Sequence, residues 1–430
     1  MTPVRRATEW LLAPTRLPHV LLALGALGYV LRLLVWAVSQ GSNDIRTWYV
    51  FSLNIDLYGL ESTYYDQPLF NHPPLMGLWS WLALSWSEAS GLAFPLVFKL
   101  PSLVAEVVTG IVLFSVYQRR GQTLNACAAF AAYGLSLSCI AISSYHGNTD
   151  ALYFCLAFLA AVAMERRAPF WAGLLLGAAL NVKLIPVLIA VPLASRCVNL
   201  REFGRYVAGG LLGVTPFFWV FVTFEDYTRA AFIENLFEYR SNLEYWGVEL
   251  VVRWIHHLCY YWFPGLGDAA REFGTWYAEA GGRLLVLASI ALGAWHALVS
   301  RRLRGANGAG RTLLDSYQLT ALGFALFLLF GSGFGVQYVG CIVAPLVATS
   351  ILWSLLVSTT TGVFITVVYL TFVVEWWPVF SDHEPMPAYF SPWANVAWLS
   401  IAAVAYGIVR LRLDRRESER DDIGRGGLPA

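Results

Sequence analysis

Charge is scarce in this chain. Only 13% of its 430 residues are Asp, Glu, Lys or Arg, where a soluble domain carries roughly 25%. A water-facing globule is therefore excluded. Lysine is scarcer still, because Lys99 and Lys183 are the only two. The formal net charge is +1, which excludes the basic field that nucleic-acid binding needs. The six cysteines, Cys127, Cys139, Cys155, Cys197, Cys259 and Cys341, lie scattered in mostly apolar runs. Their spacing matches neither a zinc site nor a disulfide framework. There is no Gly-rich phosphate loop, no nucleophilic-serine motif and no nucleotide fingerprint, so chemistry on cytosolic ATP or a nucleotide sugar has no support. There is no Asn-x-Ser/Thr sequon, no internal repeat and no separate soluble domain.

What the chain does have is apolar sequence. It is 57% hydrophobic with a mean hydropathy of +0.57. In lipid every backbone polar group must be satisfied within the segment, so runs of this kind form helices. The fold class expected is all-α: a polytopic membrane protein of about twelve transmembrane helices. The spans expected are 18–38, 95–118, 122–145, 150–164, 206–224, 282–299, 316–331, 337–356, 361–379 and 393–411. Two shorter apolar pieces, 169–181 and 184–195, flank Lys183. Each falls below the roughly 20 residues that cross hydrocarbon unaided, so they are tilted spans or a buried hairpin. A further short piece, 250–263, is placed at the interface. The basic head Met1–Pro18 precedes an apolar run without a small-residue cleavage site, so it reads as an uncleaved first span. The chain reads as one transmembrane domain, 1–411, followed by a charged cytoplasmic tail, 412–430, of disordered composition.

Basic residues set the orientation. Arg5, Arg6, Arg16, Arg119, Arg120, Arg166, Arg167, Arg196, Arg201, Arg205, Arg301, Arg302, Arg304, Arg311 and the Arg410–Arg425 tail fall on one side of these spans. The positive-inside rule makes that side cytoplasmic, with both termini on it. The opposite side receives 39–94, 146–149, 225–281 and 380–392, which are acidic, aromatic and Pro-rich. The first of these loops is long, and two helices are expected along the membrane surface within it. Arg46–Leu57 places Trp48, Phe51 and Ile55 on one face, and Pro74–Trp86 opens with proline and carries Trp79, Trp81 and Trp86.

The chemistry-bearing residues cluster at these outer boundaries. Asp44 follows the first span within Gly41-Ser42-Asn43-Asp44, where a substrate can approach. It reads either as a general base or as a helix cap, a role Ser42 and Asn43 could also fill. His146-Gly147-Asn148-Thr149-Asp150 forms a short turn on the same side, and Asp150 could equally cap the next helix. Glu106 lies near mid-membrane, where an ionised group needs a partner or a wet cavity. Arg32 in the first span is a candidate partner, and the pair is as readily a structural lock as a functional one. Lys183 interrupts apolar sequence and either binds a phosphate or snorkels to the headgroups. In the 225–249 segment, the planar fork of Arg240 suits a phosphate, and Tyr245 and Trp246 suit a sugar face. Gln337-Tyr338 follows a Gly-rich turn and could orient a headgroup or start a helix. His256-His257 and Asp382-His383-Glu384 lack firm metal-ligand spacing.

Taken in order, these motifs resemble a known group. An outer Asp after the first span, a long first loop closing Asn71-His72-Pro73-Pro74-Leu75, the turn His146-Gly147-Asn148-x-Asp150 and the segment from Ala172 to Pro186 around Lys183 are similar to the GT-C superfamily of integral-membrane glycosyltransferases. The chain most resembles the polyprenyl-phosphate-mannose-dependent mannosyltransferases. The resemblance covers roughly 18–195, and beyond that only the Arg240 loop and the Gln337-Tyr338 turn. It implies a catalytic role for Asp44 and for Asp150, and substrate binding by His146, Asn148, Lys183, Arg240, Tyr245, Gln337 and Tyr338. Arg32 and Glu106 remain structural or cavity charges. The implied reaction moves a hexose, mannose by the resemblance, from a polyprenyl-phosphate donor to a lipid-linked or glycan acceptor, with inversion. It would take place at the extracytoplasmic face of a membrane, a bacterial plasma membrane by the excess of Arg over Lys. The implied partners are the donor, the acceptor and membrane lipids, with no nucleic acid and the oligomeric state open. No cofactor is required. Asn43-Asp44-Ile45 has one acid where some relatives have two, so a divalent metal stays possible but unsupported. The alternative is a transporter or flippase whose pathway Arg32, Glu106 and Lys183 would line.

Overall fold

A computed structural model describes residues 15–237, 246–259, 261–307, 313–372 and 392–425. Among the described residues there are helices and no strand. The protein is an all-α polytopic membrane protein. Among the described residues five helices are long and apolar enough to cross a membrane, or up to seven if each of two bent pairs is one span. Other expected spans fall on shorter apolar helices, Pro169–Leu180, Ile185–Ala194, Ser316–Phe330 and Val336–Thr349.

The first span, α1 (Leu17–Val38), leads into the two helices of the first loop, α2 (Asn43–Asp66) and α3 (Pro74–Ser90). Helix α2 is longer than its apolar periodicity indicates, because Gly59 at φ +86° kinks it and the chain then resumes helical form. Trp48, Phe51 and Ile55 are buried on one face as expected. Trp81 of α3 donates to Asp56 of α2 at 3.0 Å. Next come α4 (Phe94–Gln118) and the bent pair α5 (Thr123–Gly134) and α6 (Leu137–His146), which meet at 41°. The bend frees the carbonyls at the end of α5, since a helix terminus leaves its last C=O groups unpaired. Arg32 of α1 takes them. Its Nε donates to the Gly134 carbonyl at 3.1 Å and its Nη2 to Tyr133. Its Nη1 pairs with Glu106 of α4. Arg32 and Glu106 are thus each other's partner, as the sequence suggested, and both are sealed from solvent.

Helix α7 (Asp150–Glu165) is followed by α8 (Pro169–Leu180) and α9 (Ile185–Ala194). The 169–195 region is therefore a short hairpin. Its base is closed by Arg196 donating to Glu165 at 3.0 Å. A 12-residue helix is about 18 Å long, so α8 carries the 181–184 turn back to the start of α7. Helix α10 (Leu200–Gly213) packs on α8 backbone to backbone. A Cβ at Gly173 would lie 1.9 Å from the Tyr206 carbonyl oxygen, and one at Gly209 would lie 2.0 Å from that of Phe170. Asn181 then donates to the Gly213 carbonyl at 2.7 Å, which anchors the turn that bears Lys183.

Helices α11 (Thr215–Thr223), α12 (Asp226–Phe237), α13 (Gly247–Cys259), α14 (Pro264–Asn307), α15 (Ser316–Phe330), α16 (Val336–Thr349), α17 (Ile351–Phe372) and α18 (Pro392–Arg425) complete the fold. Three expectations are corrected. The span expected at 337–356 breaks at Ser350, so that α17 starts at Ile351 and takes in part of both expected spans. Helix α18 continues through the charged tail to Arg425, because extending an existing helix costs far less than nucleating one. Trp246 is 1% exposed, stacks on Phe334 at 4.4 Å and donates to the Leu328 carbonyl at 2.6 Å. It is a core residue, not a sugar platform.

Candidate active site

The site begins where α1 ends. The Ser39 hydroxyl donates to the Tyr145 carbonyl at 2.9 Å, and the Ser42 N–H donates to the His146 carbonyl at 3.1 Å. These bonds stitch the first loop to the 146–149 turn. Lys99 of α4 fastens the same seam from below. Its ammonium donates to the carbonyls of Trp36, Ser39 and Ser144 at 3.0, 2.7 and 3.2 Å. The first two lie at the C-terminal end of α1, where the helix dipole favours a cation. Ser144 lies in the π-helical stretch Ile140–His146 that closes α6, a wide turn common at functional sites. Gly147 follows at φ +81°, where a Cβ would lie 2.7 Å from Lys99 Cδ. Both the backbone sign and the space require glycine there.

This seam settles which residue caps the helix. Ser42 is the N-cap of α2, its Oγ accepting the Asp44 N–H at 3.1 Å. Asp44 therefore sits in the first turn with its carboxylate available. Its Oδ2 accepts from Asn148 Nδ2 at 2.7 Å and faces His146 Nε2 at 3.1 Å. Asn148 cannot turn its amide over, because its Oδ1 accepts the Thr149 N–H at 2.7 Å. On the far side of the imidazole, Ser42 Oγ lies 2.6 Å from His146 Nδ1. With the serine donating to Nδ1, the proton is assigned to Nε2, the nitrogen 3.1 Å from Asp44 Oδ2. Oδ1 of Asp44 accepts no hydrogen bond from a described residue, and the side chain is 31% exposed while that of His146 is 4% exposed. Burial works against the charge on Asp44, but His146, with the Lys183 cation, outweighs it. The carboxyl is held below the usual aspartate range and is ionised at neutral pH.

Asp150 is placed differently. It is fully buried at the start of α7, and it neither caps a helix nor meets solvent. Its Oδ1 lies 3.4 Å from Lys183 Nζ. The same ammonium sits 4.5 Å from the ring centre of Tyr338. Lys183 does not snorkel to the headgroups, since it is 9% exposed and held by Asp150 and Tyr338.

The structure thus brings together Asp44, His146, Asn148, Asp150, Lys183 and Tyr338. Gln337 is half-buried and folds back over Gly335 instead. Arg32 and Glu106 form the separate lock described above and contact none of these groups. Arg240 and Tyr245 lie outside the described residues, as do Asp382, His383 and Glu384. His256 Nδ1 lies 2.9 Å from the Gly267 carbonyl oxygen. Among the described residues no group of three or more His, Cys, Asp or Glu gathers as a metal site.

Three contributors escaped sequence reasoning. Ser42 was one of several possible caps. Lys99 was visible only as one of two lysines. His72 stood in the noted Asn71–Leu75 run without a role. It is buried against Trp48, with ring centres 4.4 Å apart. Burial and the Lys183 cation hold its imidazole well below the ordinary range, against the pull of Asp44, so it is neutral at pH 7.

The model of glycosyltransferase family 87 matches residues 70–329. No curated protein matches the chain. The matched stretch is more than half of the sequence and includes His72, Lys99, the 146–150 turn and Lys183, while Asp44 lies before it and Tyr338 after it. The chain belongs to glycosyltransferase family 87.

Proposed function

We propose that this glycosyltransferase moves a hexose, mannose in our reading, from a polyprenyl-phosphate donor to a hydroxyl of a lipid-linked or glycan acceptor at the extracytoplasmic face. The observation that carries the proposal is the division of labour within one carboxylate. Oδ2 of Asp44 is occupied by Asn148 and His146, and Oδ1 accepts from no described residue. A general base needs that arrangement, with one oxygen held for orientation and the other open to a proton.

In this reading the acceptor hydroxyl approaches Oδ1. Its oxygen attacks the anomeric carbon as its proton passes to Asp44. The bond from that carbon to the phosphate oxygen breaks on the opposite face, giving inversion. The polyprenyl phosphate leaves with the negative charge. His146 and Asn148 hold the carboxylate in register through the reaction. A departing phosphate needs cationic stabilisation where its charge grows. Lys183 supplies it, and Asp150, too buried to reach an acceptor, positions the ammonium. Arg240 is the second cation in this proposal, and Tyr245 is a sugar contact. No step requires a metal or a nucleotide.

An apolar cavity of about 260 Å³ between α3 and α11 supports a lipid donor. Pro74, Leu75, Leu78, Pro216 and Trp219 line it, and it begins immediately after His72-Pro73. Its wholly hydrocarbon lining suits the prenyl chain, with the headgroup toward Lys183. The transporter alternative is weakened by the same arrangement. Its supposed pathway charges divide between the sealed Arg32–Glu106 lock and the Asp44–Lys183 site, and the family is one of transferases.

Asp44→Asn protein in membranes, supplied with labelled polyprenyl-phosphate mannose and its acceptor, should transfer about 10²–10⁴-fold more slowly. Undiminished transfer by the folded variant would reject Asp44 as the base.

A further inference from the structure

Among the described residues, His72 is a titratable group near Asp44 and Lys183 that the mechanism above leaves without a task. Its position is heavily determined. The Tyr64 hydroxyl donates to its carbonyl at 2.6 Å, and Pro73 and Pro74 open α3 directly after it. Its ring lies on Trp48 at 4.4 Å between centres. Trp48 is four residues beyond Asp44 on α2, hence on the same helical face. Packing on Trp48 therefore sets the imidazole beside Asp44, and it lies within electrostatic reach of both Asp44 and Lys183. Its Nδ1 is buried without a hydrogen-bond partner among the described residues. A buried polar atom left unmet on so fixed a ring is uncommon.

We propose that His72 is a sugar-binding residue, its imidazole hydrogen-bonding a hydroxyl of the hexose that lies between Asp44 and Lys183. The inference rests on the proposed transfer from a lipid phosphate. In an in-line displacement the base sits at the attacking oxygen and the cation at the leaving phosphate, so a residue beside both faces the sugar ring that joins them. The character of the group agrees. A neutral imidazole offers a phosphate no charge, and Lys183 already does so. For a hydroxyl it offers both a donor and an acceptor. Burial on Trp48 also removes the competing water. A substrate hydroxyl entering the site meets a group that the described residues leave unmatched.

The test is a cycle between enzyme and substrate. Transfer is measured for wild type and His72→Phe with polyprenyl-phosphate mannose and with its singly deoxygenated analogues. Phe keeps the ring packing on Trp48 and removes both nitrogens. We expect about a tenfold loss of kcat/KM for His72→Phe with the full donor. One deoxygenated analogue should cost wild type a similar factor and cost the variant almost nothing more. Losses that multiply for every analogue, or an unimpaired Phe variant, would overturn the assignment. Should the Phe protein fail to fold, His72→Leu replaces it in the same cycle, with the same two outcomes for and against. Failure of wild type to use the full donor would instead reject the proposed donor class, and it is read in the first arm before any variant.

Discussion

Two of the charged clusters among the described residues differ in what they leave unmatched. Arg32 and Glu106 are 0% and 1% exposed, and the guanidinium also takes the two carbonyls at the end of α5. Nothing in that cluster is open to a ligand, so it fastens α1, α4 and α5 to one another. The Asp44 cluster has the same kinds of groups and as many constraints. It nevertheless leaves one carboxylate oxygen without a donor among the described residues, on a side chain that is 31% exposed. Charge inside a membrane protein is thus a weak guide to function on its own. The informative quantity is whether the hydrogen-bonding capacity of each charge is exhausted by the protein.

The largest effect that would sharpen this contrast is on Lys183. Lys183→Met, combined with Asp150→Asn so that no buried carboxylate is stranded, should slow transfer by roughly 10²–10³-fold. Asp150→Asn alone should keep transfer within about tenfold of wild type, as expected of a positioning residue. Equal losses in the two proteins, measured with labelled donor in membranes, would return Asp150 to the reacting groups.

On the other side of the comparison, Glu106→Gln strands a buried guanidinium. It should lower stability by about 3 kcal/mol, read as a fall in the melting temperature of detergent-solubilised protein. Activity per folded molecule should stay near that of wild type. Loss of activity without loss of stability would make the lock part of the site.

Gly147→Ala should destabilise by about 1–3 kcal/mol, because it forces a β-carbon into a left-handed turn and against Lys99. Transfer should fall with it, since that turn carries His146 and Asn148. A variant of unchanged melting temperature would show the seam to be slack.

The smallest effect concerns pH. The Asp44 carboxyl lies below its ordinary value, so the base stays ionised as pH falls through the usual aspartate range. It is lost only when the pH drops past the depressed value. Burial alone would raise that value, and His146 is the first group that opposes it. His146→Gln should therefore move the acid limb of the pH–rate profile to higher pH. A limb that stays in place would assign the depression to Lys183.

Much of this arrangement could be read from residues alone. The apolar run before Ser39 and the Trp48, Phe51 and Ile55 face are spaced by helical period, and period survives folding. The pairing of Arg32 with Glu106 followed from the cost of burying either alone. The placing of Asp44, His146, Asn148 and Tyr338 on one common side of the expected spans followed from where arginines gather. What escaped were relations carried by the backbone. No spacing rule announces that Lys99 will bind three carbonyls, since the bends exposing them exist only in three dimensions. Nor could the sequence choose among Ser42, Asn43 and Asp44 as cap, because all three types suit the position. His72 lacked a reading for the same reason. Its place beside Asp44 depends on Trp48, expected on a helix along the membrane surface and found buried in the core.

The contrast between an exhausted charge and an open one is tested most directly by a single parallel assay. Asp44→Asn and Glu106→Gln proteins, matched for folded amount, are compared with wild type for sugar transfer from labelled polyprenyl-phosphate mannose. The account predicts that Asp44→Asn loses about 10²–10⁴-fold while Glu106→Gln keeps near-normal turnover per folded molecule. Normal turnover by Asp44→Asn, or an equal collapse of both, would contradict it.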